Sequence, residues 1–353
     1  MMLLNRRARR RRAGLMGLLA LPLLTIPGPS AHAAPVATPD TDEPEIFQGR
    51  FASSCQAPMV VGMQATFNSC TGTLVHPEVV LYAAHCPNVT SVRFGETMDE
   101  PAVTVPVDHC ARFIEEDFIN NSDFAYCKLA EPVLDIPITP VAYGCEVEAI
   151  AEGAEVLIAG FGRDEYGKLG RKRWADTTIA SGTGTSGFLQ IGGGGTSAWS
   201  GDSGGPALLE LGDGTYRNIG IASYVYLELL GEYPAFYVNA AYAVPWVEEM
   251  SGVDITPCFD RDGTWNPGPE CKNFARTPLA GGTWQDACAE HEVGGYSQAC
   301  GPGWDVVTDE TPPVVTITSP VEGDAFEEAA GAIAVDVEAL DGETEVVRVW
   351  LSI

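Results

Sequence analysis

Short apolar and β-branched runs recur through the first two thirds of the chain, with Gly, Pro and Asp between them. Val60-Val61, Thr73-Leu74-Val75, Val79–Leu81, Val103–Val107, Val156–Ala159, Ile219–Val225 and Phe236–Val238 are short, of strand character and bounded by turn residues. Asp123–Leu129 alternates in the same way. One segment, Ala241–Met250, reads as a short helix that closes this region. The pattern predicts an all-β fold of antiparallel strands, and the length is ample for two six-stranded β-barrels followed by a short C-terminal helix.

Beyond Pro257 the pattern changes. Cys258, Cys271, Cys288 and Cys300 lie in a Gly-, Pro- and Trp-rich stretch with little periodicity, which reads as a disulfide-stapled linker over 258–309. Asp260-Arg261-Asp262-Gly263-Thr264 looks like the start of a calcium loop, but its glycine comes too early for an EF-hand and Asp-Gly is also a simple turn, so no metal site is assigned. Cysteine pairs spaced for zinc are missing too. After the hinge Asp309-Glu310-Thr311-Pro312-Pro313, three strands are expected at Val314–Thr318, Ala332–Ala339 and Val346–Leu351. Residues 310–353 resemble the opening of a bacterial Ig-like module, although a full sandwich needs about seven strands.

The amino terminus has a different composition again. Arginines crowd residues 6–12, an apolar run covers Leu15–Ile26, and Ala31-His32-Ala33-Ala34 supplies an A-x-A site. This is the layout of a secretory signal peptide over 1–34, too short for a comfortable membrane span. Residues 35–45, rich in Pro, Thr, Asp and Glu, read as a propeptide. The segment to Ala34 holds six arginines and no acid, so its removal takes the net charge from −28 to −34. Such a charge disfavours nucleic acid and anionic membranes as partners. Ten cysteines, an even number, suit an oxidising compartment. Together these features predict a secreted protein, extracellular, periplasmic or at the cell surface, with no membrane insertion, and we expect a monomer.

The candidate chemistry lies in Gly201-Asp202-Ser203-Gly204-Gly205-Pro206. A serine among glycines can expose its hydroxyl, and the Gly201 and Ser203 N–H groups can converge on one point to form an oxyanion hole. Such a serine needs a base, and the base needs an orienting carboxylate. Ala83-Ala84-His85-Cys86 offers His85, and Asn121-Ser122-Asp123-Phe124-Ala125 offers Asp123. With these three motifs in the order His, Asp, Ser, the chain resembles the chymotrypsin/trypsin family of serine endopeptidases over roughly residues 46–257.

That resemblance implies a chymotrypsin-like pair of barrels with the site in the cleft between them. It also implies catalysis by His85, Asp123 and Ser203, with Ser223 as a hydrogen-bond donor to the aspartate. No cofactor is required. It implies activation by a cut at Glu45–Ile46, made by an activating protease or by autolysis, after which the Ile46 ammonium pairs with Asp202. Phe47 and Gln48 depart from the family's pattern there. Cutting at Arg50–Phe51 instead leaves too short a segment before His85. In the substrate pocket, Ser197 stands at the floor position where trypsin-like members carry aspartate, Val225 and Ala235 at wall positions often occupied by glycine, Trp199 where the family has a bracing cysteine and Tyr224 where it usually has tryptophan. A neutral floor disfavours Lys or Arg, so a small or medium apolar residue is expected before the scissile bond of protein or peptide substrates. Cys70–Cys86 matches a family disulfide. Cys110–Cys127 is expected to link the strands flanking the aspartate loop, which leaves Cys55–Cys145 as the remaining pair. The four-glycine run Gly192–Gly195 reads as a flexible loop beside the pocket, not a phosphate loop. The reading is a secreted serine endopeptidase; the alternative is a catalytically silent binding protein or adhesin on the same scaffold.

Overall fold

The computed structural model describes residues 46, 49–65, 69–86, 88–113, 122–163, 168–225, 234–304, 314–319 and 336–340. The expected signal peptide, the propeptide, Phe47, Gln48 and the third tail strand lie outside them.

The first barrel closes in the order β2-β3-β4-β7-β6-β5. Its strands are β2 (Val60–Ala65), β3 (Ser69–His76), β4 (Val79–Tyr82), β5 (Val89–Phe94), β6 (Val103–Arg112) and β7 (Ala125–Leu129). β4 is apolar at every position and buried at every position, as expected of a strand covered on both faces. The second barrel comprises β8 (Glu155–Gly160), β9 (Arg173–Ser181), β10 (Phe188–Ile191), β11 (Pro206–Glu210), β12 (Tyr216–Tyr224) and β13 (Ala235–Asn239). Pairing of β8 with β9 completes the ring, and the short β1 (Arg50–Phe51) adds to β9. All these pairings are antiparallel, giving the all-β fold that the pattern predicts and the two six-stranded barrels that the resemblance implies. β5, β9, β10 and β11 are not among the runs named from the sequence, and β9 opens on the largely polar Arg-Trp-Ala-Asp-Thr-Thr.

The closing helix α1 spans Val244–Ser251 and is entered through a 3₁₀ turn at Ala240–Ala243. Asn239 Oδ1 accepts the Ala241 N–H at 3.2 Å, Pro245 fits the first turn, and Gly252 ends the helix in the left-handed conformation at φ 68°. Trp246 leaves the helix to meet Phe113, Phe124 and Tyr126 of the first barrel, with ring centroids 5.5–5.7 Å apart.

Residues 258–304 form a strap without strands longer than isolated bridges. Only Cys258–Cys271 is internal to it. The other two cysteines reach the barrel region, as Cys55–Cys288 and Cys145–Cys300. This corrects the expected Cys55–Cys145 pair: each of those cysteines finds a tail cysteine, 233 and 155 residues away in sequence. Cys70–Cys86 and Cys110–Cys127 form as expected. Buried polar contacts fix the strap further. The Arg217 side chain on β12 is 1% exposed and lies 2.9 Å from Glu146, itself 1% exposed. Arg217 also donates to Ser297 Oγ of the strap at 3.1 Å, and Ser297 donates to Asp213 at 2.7 Å. Trp284 Nε1 donates to Glu96, which also takes the Cys55 N–H. In the Asp260–Thr264 segment, Asp262 Oδ1 accepts the Thr264 N–H at 2.9 Å, a turn contact.

Farther along the chain, β14 (Val314–Ser319) and β15 (Asp336–Leu340) pair antiparallel. These are two of the three tail strands expected. No helix among the described residues is long and apolar enough to cross a membrane.

Candidate active site

Three strand ends deliver the polar residues. His85 lies in the turn after β4, Asp123 just before β7, and Ser203 in the turn before β11. Because β4 and β7 are paired, with Tyr82 opposite Ala125, His85 and Asp123 leave neighbouring strands side by side. His85 Nδ1 is 2.7 Å from Asp123 Oδ2, and the His85 N–H donates to Asp123 Oδ1 at 2.9 Å. Ser223, at the end of β12 in the other barrel, donates to Asp123 Oδ2 at 2.5 Å. The aspartate side chain is 4% exposed while the histidine is 39% exposed. Burial opposes ionisation of Asp123, but the hydrogen bond and charge of His85, then Ser223 and the His85 N–H, outweigh it and hold the carboxyl below its ordinary value. An ionised Asp123 accepts a hydrogen bond from Nδ1–H, which favours the tautomer whose Nε2 lone pair is free.

The Ser203 turn is held from both barrels. Thr71 of β3 donates its N–H to Ser203 O at 2.9 Å and its hydroxyl to Gly201 O at 3.0 Å, while Phe161 N–H donates to Thr71 Oγ1. The Cys86 sulfur lies 3.8 Å from Ser203 O, so the serine sits against the residue that follows His85. Gly204 has φ +85°, and a Cβ there would stand 2.3 Å from Thr71 O and 2.8 Å from Ala83 N. Only glycine satisfies both the backbone angle and that space. The N–H groups of Gly201 and Ser203 enter no hydrogen bond among the described residues, and Gly201 adopts φ +99°.

Asp202 points the other way, into the protein, at 2% exposure. Its carboxylate accepts Gly162 N–H at 2.7 Å and Trp199 N–H at 2.9 Å. Burial pushes this carboxyl up to about 6, against the pull of those two N–H groups and of the Arg173 charge. Ile46 is also buried, at 2%, within the core of the second barrel.

Beside Ser203 is a small pocket of about 60 Å³. Ala198–Ser200 form one wall; Ser223, Tyr224, Val225 and Ala235 form the other. Among the described residues, the lining carries no charged side chain. Ser197 lies one residue beyond this lining, 2% exposed, with its hydroxyl unpartnered among the described residues. Tyr224 is backed by Phe236, stacked at 4.4 Å, and by the edge of Phe188. The glycine run at 192–195 has positive φ throughout, and Gly193 bridges to Thr196. Of the residues singled out from sequence, His85, Asp123 and Ser223 meet directly, and Ser203, Val225 and Ala235 share the pocket. Thr71 is a site residue that the sequence does not reveal: a threonine inside a strand of mixed polarity gives no signal of its role. Leu169, whose Cδ1 abuts Gly201, is equally unmarked, as a single leucine outside any strand.

Comparison with known proteins adds an independent line. The family model described as Trypsin matches residues 46–247. Among curated proteins the chain is similar to serine protease 1 of Rattus norvegicus, with 27% identity over 249 residues, covering 61% of this chain and 94% of that protein. It is similar to anionic trypsin of Canis lupus familiaris, 27% identical over 241 residues (61% and 93% covered). Tryptase of Mus musculus is 26% identical over 279 residues (67% and 100% covered).

Proposed function

We propose, for a chain that belongs to the trypsin family and is a serine endopeptidase, that His85, Asp123 and Ser203 form the catalytic triad and that the enzyme acts outside the cell. The observation that carries this reading is the bridge from His85 through Asp123 to Ser223, with the Ser203 turn held against Cys86. His85 Nε2 takes the proton of Ser203 Oγ as the oxygen attacks the scissile carbonyl. Asp123 keeps the imidazole in the required tautomer and offsets the imidazolium charge. The proton then passes to the leaving amine, and water repeats the sequence on the acyl-enzyme. Gly201 and Ser203 N–H groups receive the oxyanion; one such donor is worth about 2.7–4 kcal/mol.

The pocket of about 60 Å³ supports a preference for a small or medium apolar residue before the scissile bond. An engineered cavity that admits benzene is about 150 Å³, so an aromatic ring is too large here. Lys and Arg meet no carboxylate among the described lining residues, and the neutral Ser197 lies behind it. We assign activation to a cut at Glu45–Ile46, which gives buried Asp202 the Ile46 ammonium as a partner. Residues 1–34 are assigned as the secretion signal, 35–45 as the propeptide and 46–257 as the protease domain. Five disulfides with no free cysteine among the described residues suit secretion.

A fluorophosphonate probe tests the assignment. The processed chain should label, and Ser203→Ala and His85→Ala should not. Labelling that survives Ser203→Ala, or its absence from the processed wild-type chain, overturns the triad; the second result favours a silent binding scaffold.

A further inference from the structure

Outside the active site, a groove of about 560 Å³ runs between the strap and the first barrel. It shares no residue with the pocket beside Ser203. More than half of its lining residues lie beyond 247, outside the part of the chain that the family model matches. We propose that this groove docks a basic, apolar stretch of polypeptide, giving the protease a second contact with a substrate or protein partner.

Two kinds of wall argue for that occupant. Leu134 is 75% exposed and Val293 43% exposed, with Ile136 beneath, so apolar surface lies open on both sides of the groove. Large exposed apolar side chains facing one concavity mark interaction sites more often than scattered ones do. Around them stand Asp135, Asp254 and Glu270. Asp254 accepts the Thr256 N–H, whereas the side chains of Asp135 and Glu270 have no hydrogen-bond or ion-pair partner among the described residues. The one cation of the lining, Lys272, is engaged by Tyr296, 3.2 Å from its hydroxyl and 5.0 Å from its ring centroid. Tyr296 leaves the Lys272 charge in place, so three carboxylates stand against one lysine and the described lining is net negative. At the floor, His291 is 7% exposed and its Nε2 meets Cys55 O at 2.7 Å. His76 uses Nδ1 to accept the Glu78 N–H, which leaves Nε2 for a ligand carbonyl. Nucleic acid and anionic lipid are repelled by these carboxylates, while alternating Arg or Lys and Leu in a peptide matches both the rim and the walls.

The test uses full-length Ser203→Ala protein, so binding is read without hydrolysis and independently of the triad. A fluorescein-labelled octapeptide alternating leucine and arginine is titrated by anisotropy, with a leucine–glutamate octapeptide as the counterpart. The strong overall negative charge is controlled by comparing Asp135→Lys/Glu270→Lys with Asp99→Lys/Glu100→Lys, an equal charge change at exposed positions outside the groove. The expected result is about tenfold weaker binding for the groove variant and little change for the other. Leu134→Ser should weaken binding several-fold, and fluorophosphonate labelling should be equal in Ser203-intact versions of all three. Equal losses in both charge variants, no loss in either, or equal affinity for the leucine–glutamate peptide would overturn the proposal.

Discussion

The unprocessed chain should lose stability as its pH rises from about 4 to about 6, and Asp202 should be the cause. This carboxylate is fully enclosed, with two N–H donors and Arg173 as its countercharge. Its pKa in the fold is raised from 3.8 to about 6 by burial. For an acid whose folded pKa is raised, folding is penalised wherever the group is charged. The penalty is absent below the unfolded value, grows between 3.8 and about 6, and is complete above that. Two pH units at about 1.4 kcal/mol each give about 3 kcal/mol. The assay is urea unfolding of the Ser203→Ala chain from pH 4 to 7, compared with Ser203→Ala/Asp202→Asn so that other titrating groups cancel. Relative to the Asp202→Asn variant, the chain that keeps Asp202 should lose about 3 kcal/mol across that window. After cleavage at Glu45–Ile46 by a Glu-specific protease, pairing with the new ammonium should remove most of the slope. Identical pH profiles with and without the Asp202→Asn substitution would refute the reasoning, as would a slope that cleavage leaves unchanged.

Other expectations are open to direct measurement. Arg217→Met leaves Glu146 buried without its partner and should cost about 3–5 kcal/mol by urea unfolding, whereas Arg217→Met/Glu146→Leu should recover most of it; a single-variant cost under about 0.5 kcal/mol would contradict the buried network. Gly204→Ala drives a Cβ into Thr71 O and should abolish fluorophosphonate labelling even where the protein folds, so full labelling would show that the turn has other room. Val225→Gly widens the pocket wall and should raise kcat/KM for leucine relative to alanine before the scissile bond by about tenfold or more. An unchanged ratio would place the wall elsewhere.

The proposed catalytic residues are legible in the sequence because their chemistry leaves little choice of residue type. A nucleophile turn that closes on a neighbouring barrel needs glycine at 204, and a buried orienting acid at 123 needs a histidine beside it. β4 announces itself by being apolar throughout. β9 does not, because its outward positions are polar and Arg173 is buried for charge rather than hydrophobic reasons. The disulfides divide along similar lines. Cys70–Cys86 spans 16 residues within a familiar pattern, but Cys55–Cys288 joins distant segments whose proximity is set only by the folded barrels. Lacking periodicity, the strap reads as a linker; its attachment comes from Arg217, Glu146, Ser297 and Glu96, each of which looks like a surface polar residue in sequence. Thr71 is equally silent, since its function is one of position.

Digestion of a peptide library, with cleavage sites mapped by mass spectrometry, tests the proposed triad and pocket together. The processed enzyme should cut after small and medium apolar residues, and Ser203→Ala should cut nothing. Dominant cleavage after Arg or Lys would contradict the pocket, and cleavage by Ser203→Ala would contradict the nucleophile.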